Sequence, residues 1–268
     1  MSKIKFCPIA SGSDGNSIYI GSDTTHILID AGLSGKRIKE GLESAVNLDG
    51  KNLDAIFLTH EHSDHIQGAG IFSRRYGAHL YATAKTWGHI DRHNLIGAVD
   101  SAKKHIIEPD GPCIIGDFTI EAFDIPHDAA QPVGYCVYMD DKKITVATDI
   151  GSVTDNIRER LFGSDIILLE SNHDLEMLKN GRYPAVLKRR IMGERGHLSN
   201  RGAGELLSEI VCSKLKNVFL GHLSAENNMP LIAMDTVSTI LEASHIKIGK
   251  DLNLHLAQRG SFSESLII

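Results

Sequence analysis

The segment Leu58-Thr59-His60-Glu61-His62-Ser63-Asp64-His65 constrains this chain more than any other. The apolar run Ala55–Leu58 reads as a buried strand. It delivers three histidines and one aspartate, within six residues, onto the loop at its C-terminal end. On an extended or turning backbone, alternate side chains point the same way. His60 and His62 can therefore grip one ion while Asp64 and His65 face another. Imidazole and carboxylate together suit Zn²⁺, Mn²⁺ or Fe²⁺, and zinc or manganese is expected here. The competing reading is a polar surface loop that happens to be rich in histidine. Four ligand-type residues at this spacing, directly behind a buried strand, argue against it.

The rest of the chain alternates strands and helices. Ile4–Ile9, Ser17–Ile20 and His26–Ile29 are β-branched runs separated by Gly/Ser/Asp turns. Helical spacing follows over Ser34–Ala45 and again over Ile66–Tyr76. In the second half, Phe118–Ile125, Val133–Met139 and Ile144–Thr148 read as consecutive strands. Then come a helix over Val153–Leu161, a strand at Ile166–Leu169, and helices over Ala185–Met192 and Arg201–Leu215. Val218–Leu220, a helix over Leu231–Glu242 and the strand Leu252–Ala257 complete the pattern, which is that of a mixed α/β protein.

No linker or low-complexity stretch interrupts the 268 residues, so one compact domain over 1–268 is expected. Lys3 and Lys5 have no apolar segment behind them, which predicts no signal peptide. No apolar run is long enough for a transmembrane helix, so no membrane partner is expected. Cys7, Cys113, Cys136 and Cys212 lie far apart. That spacing disfavours disulfides and metal ligation and fits a cytoplasmic protein. Cys136, in an alternating apolar strand, reads as a small buried hydrophobe. The net charge of −6 argues against a generic nucleic-acid coat, yet it leaves room for a nuclease, because a two-metal site collects carboxylates.

The His60–His65 segment carries the H-x-H-x-D-H signature, and here the chain resembles the metallo-β-lactamase superfamily. Ser11–Ser17 followed by Asp30-Ala31-Gly32 looks like the N-terminal hairpin of that superfamily. His127, Asp149 and His222 match its later ligands, each at the end of an apolar strand. Taken singly, each is as readily a turn or cap residue; their joint occurrence in order carries the resemblance. It implies a four-layer α/β/β/α sandwich and two divalent metal ions. One ion would be held by His60, His62 and His127, the other by Asp64, His65 and His222, with Asp149 bridging. Asp30 would orient a ligand or the backbone of the His60 loop.

Within the superfamily, His62 stands where flavodiiron proteins carry glutamate. Gly196-His197-Leu198-Ser199 lies between Asp149 and His222. Phosphodiesterase branches such as RNase Z have a histidine in this interval that protonates a leaving oxygen. The alternative for His197 is a capping loop residue, since Ser199 reads as the N-cap of the following helix. The chain is most similar to the YycJ/WalJ-like group. The likeness rests on Ser11–Ser17, Glu170-Ser171-Asn172-His173-Asp174, Gly196–Asn200 and His222–Asn228. That group implies 5′-to-3′ exonuclease action on DNA. The expected mechanism is in-line attack by a metal-bridging hydroxide oriented by Asp64 or Asp149, with His197 donating a proton to the departing 3′ oxygen.

A nucleic-acid substrate, DNA above RNA, is the expected partner. Lys188, Arg189, Arg190 and Arg195 precede His197, and Arg74-Arg75 end the helix after the metal loop, where they could meet phosphates. For any one of them, a solvated helix face is the competing reading. Trp87 could stack a base, or it could be a core residue. The rivals are a PhnP-like hydrolase of small or cyclic phosphodiesters, an RNase Z-like ribonuclease, and a non-catalytic binding protein on a degenerate lactamase fold. The last would be expected to lose metal ligands, and none of the seven positions is missing.

Overall fold

The computed structural model describes residues 3–268. The strands are β1 (Lys5–Ala10), β2 (Ser17–Gly21), β3 (His26–Ile29), β4 (Ala55–Phe57), β5 (His79–Ala82), β6 (Lys104–Ile106), β7 (Pro112–Ile115), β8 (Phe118–Asp124), β9 (Val133–Met139), β10 (Lys142–Ala147), β11 (Ile166–Glu170), β12 (Asn217–Gly221), β13 (Asn253–Leu256) and β14 (Leu266–Ile267). The helices are α1 (Gly35–Gly41), α2 (Ser63–Ile66), α3 (Ala69–Tyr76), α4 (Ala84–His93), α5 (Asp155–Leu161), α6 (Leu175–Asn180), α7 (Ala185–Ile191), α8 (Asn200–Ile210) and α9 (Pro230–Ala243).

They build two seven-stranded sheets, ordered β14-β1-β2-β3-β4-β5-β6 and β13-β12-β11-β10-β9-β8-β7. Each sheet is antiparallel at one end and parallel at the other: β3 to β6 run parallel in the first, β10 to β13 in the second. The central strands are apolar on both faces, and alternation sorts their residues between two cores. Ile166 and Leu168 face the interior between the sheets, while Ile167 and Leu169 face the helices α5, α8 and α9. In the first sheet Ile27 and Ile29 join the central core, and Leu28 joins the outer one with Ile38 and Phe72. Three cores between four layers make the α/β/β/α sandwich implied by the resemblance.

Several boundaries differ from the pattern-based reading. The helix expected over Ile66–Tyr76 is two pieces, broken where the Gly68 amide donates to Ala31 O at 2.7 Å. A Cβ on Gly68 would lie 2.5 Å from Leu33 O, so only glycine permits the contact. The helix expected to reach Leu215 ends at Ile210, where Val211 turns extended. Strands β5, β6, β7 and β14 and helix α6 carry too little periodicity to be read from sequence. Of these strands, β6, β7 and β14 are short edge strands that pairing, not pattern, defines. Cys136 is buried in β9, and all four cysteines are free thiols. Among the described residues no helix is long and apolar enough to cross a membrane.

Candidate metal centre

Ligand-type residues gather at the C-terminal ends of strands along one edge of the two sheets, the usual location of sites in open α/β sheets. Asp30 follows β3, the His60 loop follows β4, His127 follows β8, Asp149 follows β10, and His222 follows β12. Asp30, Asp149 and His222 hold φ values of 63°, 60° and 53°, a left-handed backbone that non-glycine residues rarely adopt. The chain turns sharply at each strand end, which aims these three side chains back at the sheet edge. Strain of this kind persists where surrounding contacts over-determine it.

Those contacts are visible. Asp30 accepts from Thr59 N at 2.8 Å and from His65 Nδ1 at 2.7 Å. The Ala31 amide donates to His65 O and Gly32 packs against Asp64 O, where a Cβ would stand 1.6 Å away. Asn16 donates through its backbone N–H to Asp64 O, and Ser11 Oγ accepts from His222 N at 2.9 Å. The Ser11–Ser17 turn thus bolts the metal loops of both sheets together.

All seven expected ligands converge. His60, His62 and His127 form one group whose ligand atoms lie within 4.8 Å of one another, and Asp64, His65 and His222 form another. Asp149 stands between them, with Oδ1 3.6 Å from His127 Nε2 and Oδ2 3.3 Å from His65 Nε2. His127 Nδ1 donates to Gly196 O, which leaves Nε2 for an ion. The buried atoms His60 Nε2, His127 Nε2, His222 Nε2 and Asp149 Oδ2 have no hydrogen-bond partner among the described residues. Clustered buried orphans are costly unless something else satisfies them, and divalent cations fit this donor set.

The electrostatics agree with that fit. Burial, with His65, His62 and His127 close by, pushes His60 well below the ordinary imidazole range, the direction that favours the neutral ring a cation needs. Burial likewise lowers His127. His222 behaves oppositely: burial is outweighed by Asp149, Asp64 and Glu170, and it is pushed up to about 10. Burial of His65 is overcome by Asp30, Asp149 and Asp64. Asp64 is held low by His65 and His222 despite burial. Protons here offset carboxylate charge that a cation would otherwise offset, so a cation bound here would displace them.

The sequence reading named Glu170 only within the Glu170–Asp174 likeness and gave it no role. This fully buried last residue of β11 accepts through Oε1 from His197 Nδ1 and His222 Nδ1, both at 2.8 Å. Through Oε2 it accepts from Ile150 N at 2.6 Å and Leu198 N at 2.9 Å. Asp149, Glu170, His197 and His222 also lie close enough to suggest a cation group. Both oxygens of Glu170 are engaged, and Oε1 fixes the Nδ1 side of the two imidazoles. Its sequence signal was a carboxylate closing an apolar strand at the head of that motif.

His197 lines the cleft above the ligands, and Ser199 caps α8 by accepting from Gly202 N. Of the four basic residues before His197, only Arg190 lines this cleft, where it pairs with Asp128. Lys188 Nζ instead donates to Lys179 O. Trp87 is a core residue, 6% exposed, with its indole N–H on His105 O.

Residues 25–222 match the beta-lactamase superfamily domain. The chain belongs to that superfamily. It is 41% identical over 251 residues to the exodeoxyribonuclease WalJ of Streptococcus pneumoniae, covering 94% of this chain and 93% of the relative. It is 38% identical to the exodeoxyribonuclease YycJ of Bacillus anthracis over 252 residues, 94% of each chain. Among solved structures, the metallo-beta-lactamase fold protein YhfI of Bacillus subtilis superposes with a TM-score of 0.72 at 16% identity, over 97% of this chain and 99% of that one. At that identity, YhfI speaks for the superfamily's fold alone.

Proposed function

We propose that this chain is a dinuclear metal-dependent phosphodiesterase that degrades DNA exonucleolytically from a 5′ end. The observation that carries the phosphodiesterase reading is the Glu170–His197 pair beside the ligand cluster. Burial would lower the His197 pKa, but Glu170 and Asp149 raise it. With Nδ1 tied to Glu170, Nε2 is the nitrogen left to give a proton to the departing 3′ oxygen. An alkoxide leaving group needs such help. The names of the two bacterial relatives support DNA as the substrate, and the group resemblance supports the 5′ polarity.

His60, His62 and His127 would hold one ion and Asp64, His65 and His222 the other, zinc or manganese, with Asp149 shared. Bound there, the ions supply a hydroxide nucleophile at neutral pH and offset charge on the phosphoryl oxygens. Asp64 and Asp149 orient the attacking group, while Asp30 and Glu170 hold the imidazoles. Arg190 offers a strand phosphate its guanidinium in exchange for Asp128. Both sheets contribute ligands, which supports treating 1–268 as one functional domain, and free thiols support a reducing cytoplasm. The test is degradation of 5′-labelled and 3′-labelled DNA and RNA, with metal analysis of the same preparation. Stepwise loss from the 5′ end of DNA with two transition metals bound is the expected result. Turnover of a cyclic nucleotide with none of DNA would overturn the reading.

A further inference from the structure

Helix α7 stands apart from the other helices. None of its residues is buried, whereas α3, α5, α8 and α9 each bury part of an apolar face. Yet Leu187 and Ile191, with Tyr183 just ahead of the helix, recur at four-residue spacing, so the two helical residues share a face that Tyr183 continues. All three line the metal cleft, whose volume is about 270 Å³, and Arg190 joins them. They form an apolar wall in a cleft that is otherwise dominated by ligands and polar groups.

A wall of this kind has little to offer a phosphate. It suits the part of a nucleotide that is flat and apolar on its faces, the base. Tyr183 is half-buried, its hydroxyl has no hydrogen-bond partner among the described residues, and its ring needs few rotamers fixed to act as a platform. The wall is also linked to the proposed acid. His197 N donates to Ile191 O at 2.9 Å, and Gly196 sits so close that a Cβ would stand 2.1 Å from the same oxygen. A base held on this wall is therefore kept in register with His197.

We propose that Tyr183, on the wall built by α7, stacks a nucleobase flanking the scissile phosphate and so sets the position of the strand over the metals. The proposal rests on the nuclease reading above. The test crosses protein variants with substrates: wild type, Tyr183→Ala and Tyr183→Phe, each on a DNA strand and on the same strand with an abasic residue at either nucleotide flanking the cleaved bond. Tyr183→Ala should lose about 5- to 150-fold in kcat/KM on the parent strand, the range that base–aromatic stacking gives. Tyr183→Phe should stay close to wild type. On the abasic strand that removes the stacked base, wild type should fall to the level of Tyr183→Ala. An equal Tyr183→Ala loss on both abasic strands, a Tyr183→Phe as damaged as Tyr183→Ala, or no loss at all would overturn the stacking role. Failure of wild type to degrade the parent strand would instead refute the nuclease reading, a pattern no Tyr183 variant can produce.

Discussion

Replacing Glu170 with glutamine changes one atom in a buried site and should have consequences at a metal. Each carboxylate oxygen takes two donors: the backbone amides of Ile150 and Leu198 on one side, the Nδ1 atoms of His197 and His222 on the other. A glutamine has one acceptor oxygen and one NH₂, so one pair of donors must face another donor. Two orphaned buried donors at ~1–3 kcal/mol each amount to about 2–6 kcal/mol. The backbone amides cannot move, so the oxygen should stay with them and the imidazoles should adjust. The adjustment open to His222 is to shift its proton from Nδ1 to Nε2, the nitrogen needed by the ion. Glu170→Gln should therefore weaken the Asp64–His65–His222 site by about 10- to 100-fold, the scale seen when the partner of a metal-bound imidazole is lost. The His60–His62–His127 site should be spared. Chelator competition with metal analysis, read against thermal unfolding, measures this. Wild-type affinity for both ions, with no loss of stability, would show that Glu170 does not orient the ligands.

Asp149→Ala should cost more than loss of any single histidine, because its two oxygens face both groups; metal content should fall and activity vanish, and full occupancy at wild-type rate would refute the bridging role. His197→Ala should keep both ions and lose roughly 10²–10⁴ in kcat on DNA. The loss should shrink on a nitrophenyl phosphodiester, whose leaving group needs no proton; an equal loss on both substrates points to binding or structure. Arg190→Ala should flatten the fall of kcat/KM on DNA with salt by ~0.7–0.9 in log–log slope, one phosphate contact's worth. Replacing Arg189 and Arg195, which lie outside the cleft lining, should leave the slope unchanged.

The candidate ligands stood out in the sequence because metal chemistry leaves a local mark: His60 to His65 stand within one turn of chain behind a buried strand, and His127, Asp149 and His222 each close an apolar run. The groups that hold those ligands were harder to see. Glu170 and Asn16 act across gaps of 52 and 48 residues, on His222 and on the Asp64 backbone respectively. Neither distance leaves any periodic trace. Trp87 illustrates the reverse case: of the two readings open to it, base stacking or the core, packing bears out the core.

Local sequence alone determined the central strands, most of the helices, the types of candidate ligand and the order of the motifs, since these follow from apolar periodicity and from short-range turn chemistry. Tertiary structure decided what that order accomplishes. It brought two sheet edges together so that Asp149 stands between two ligand groups, and it gave Glu170 two imidazoles to orient. It also left α7 with its apolar face toward the cleft instead of the core. The physical reason is that coordination and burial are satisfied in space: a residue's partner is whatever the fold sets within a few ångströms, and separation along the chain carries no record of it.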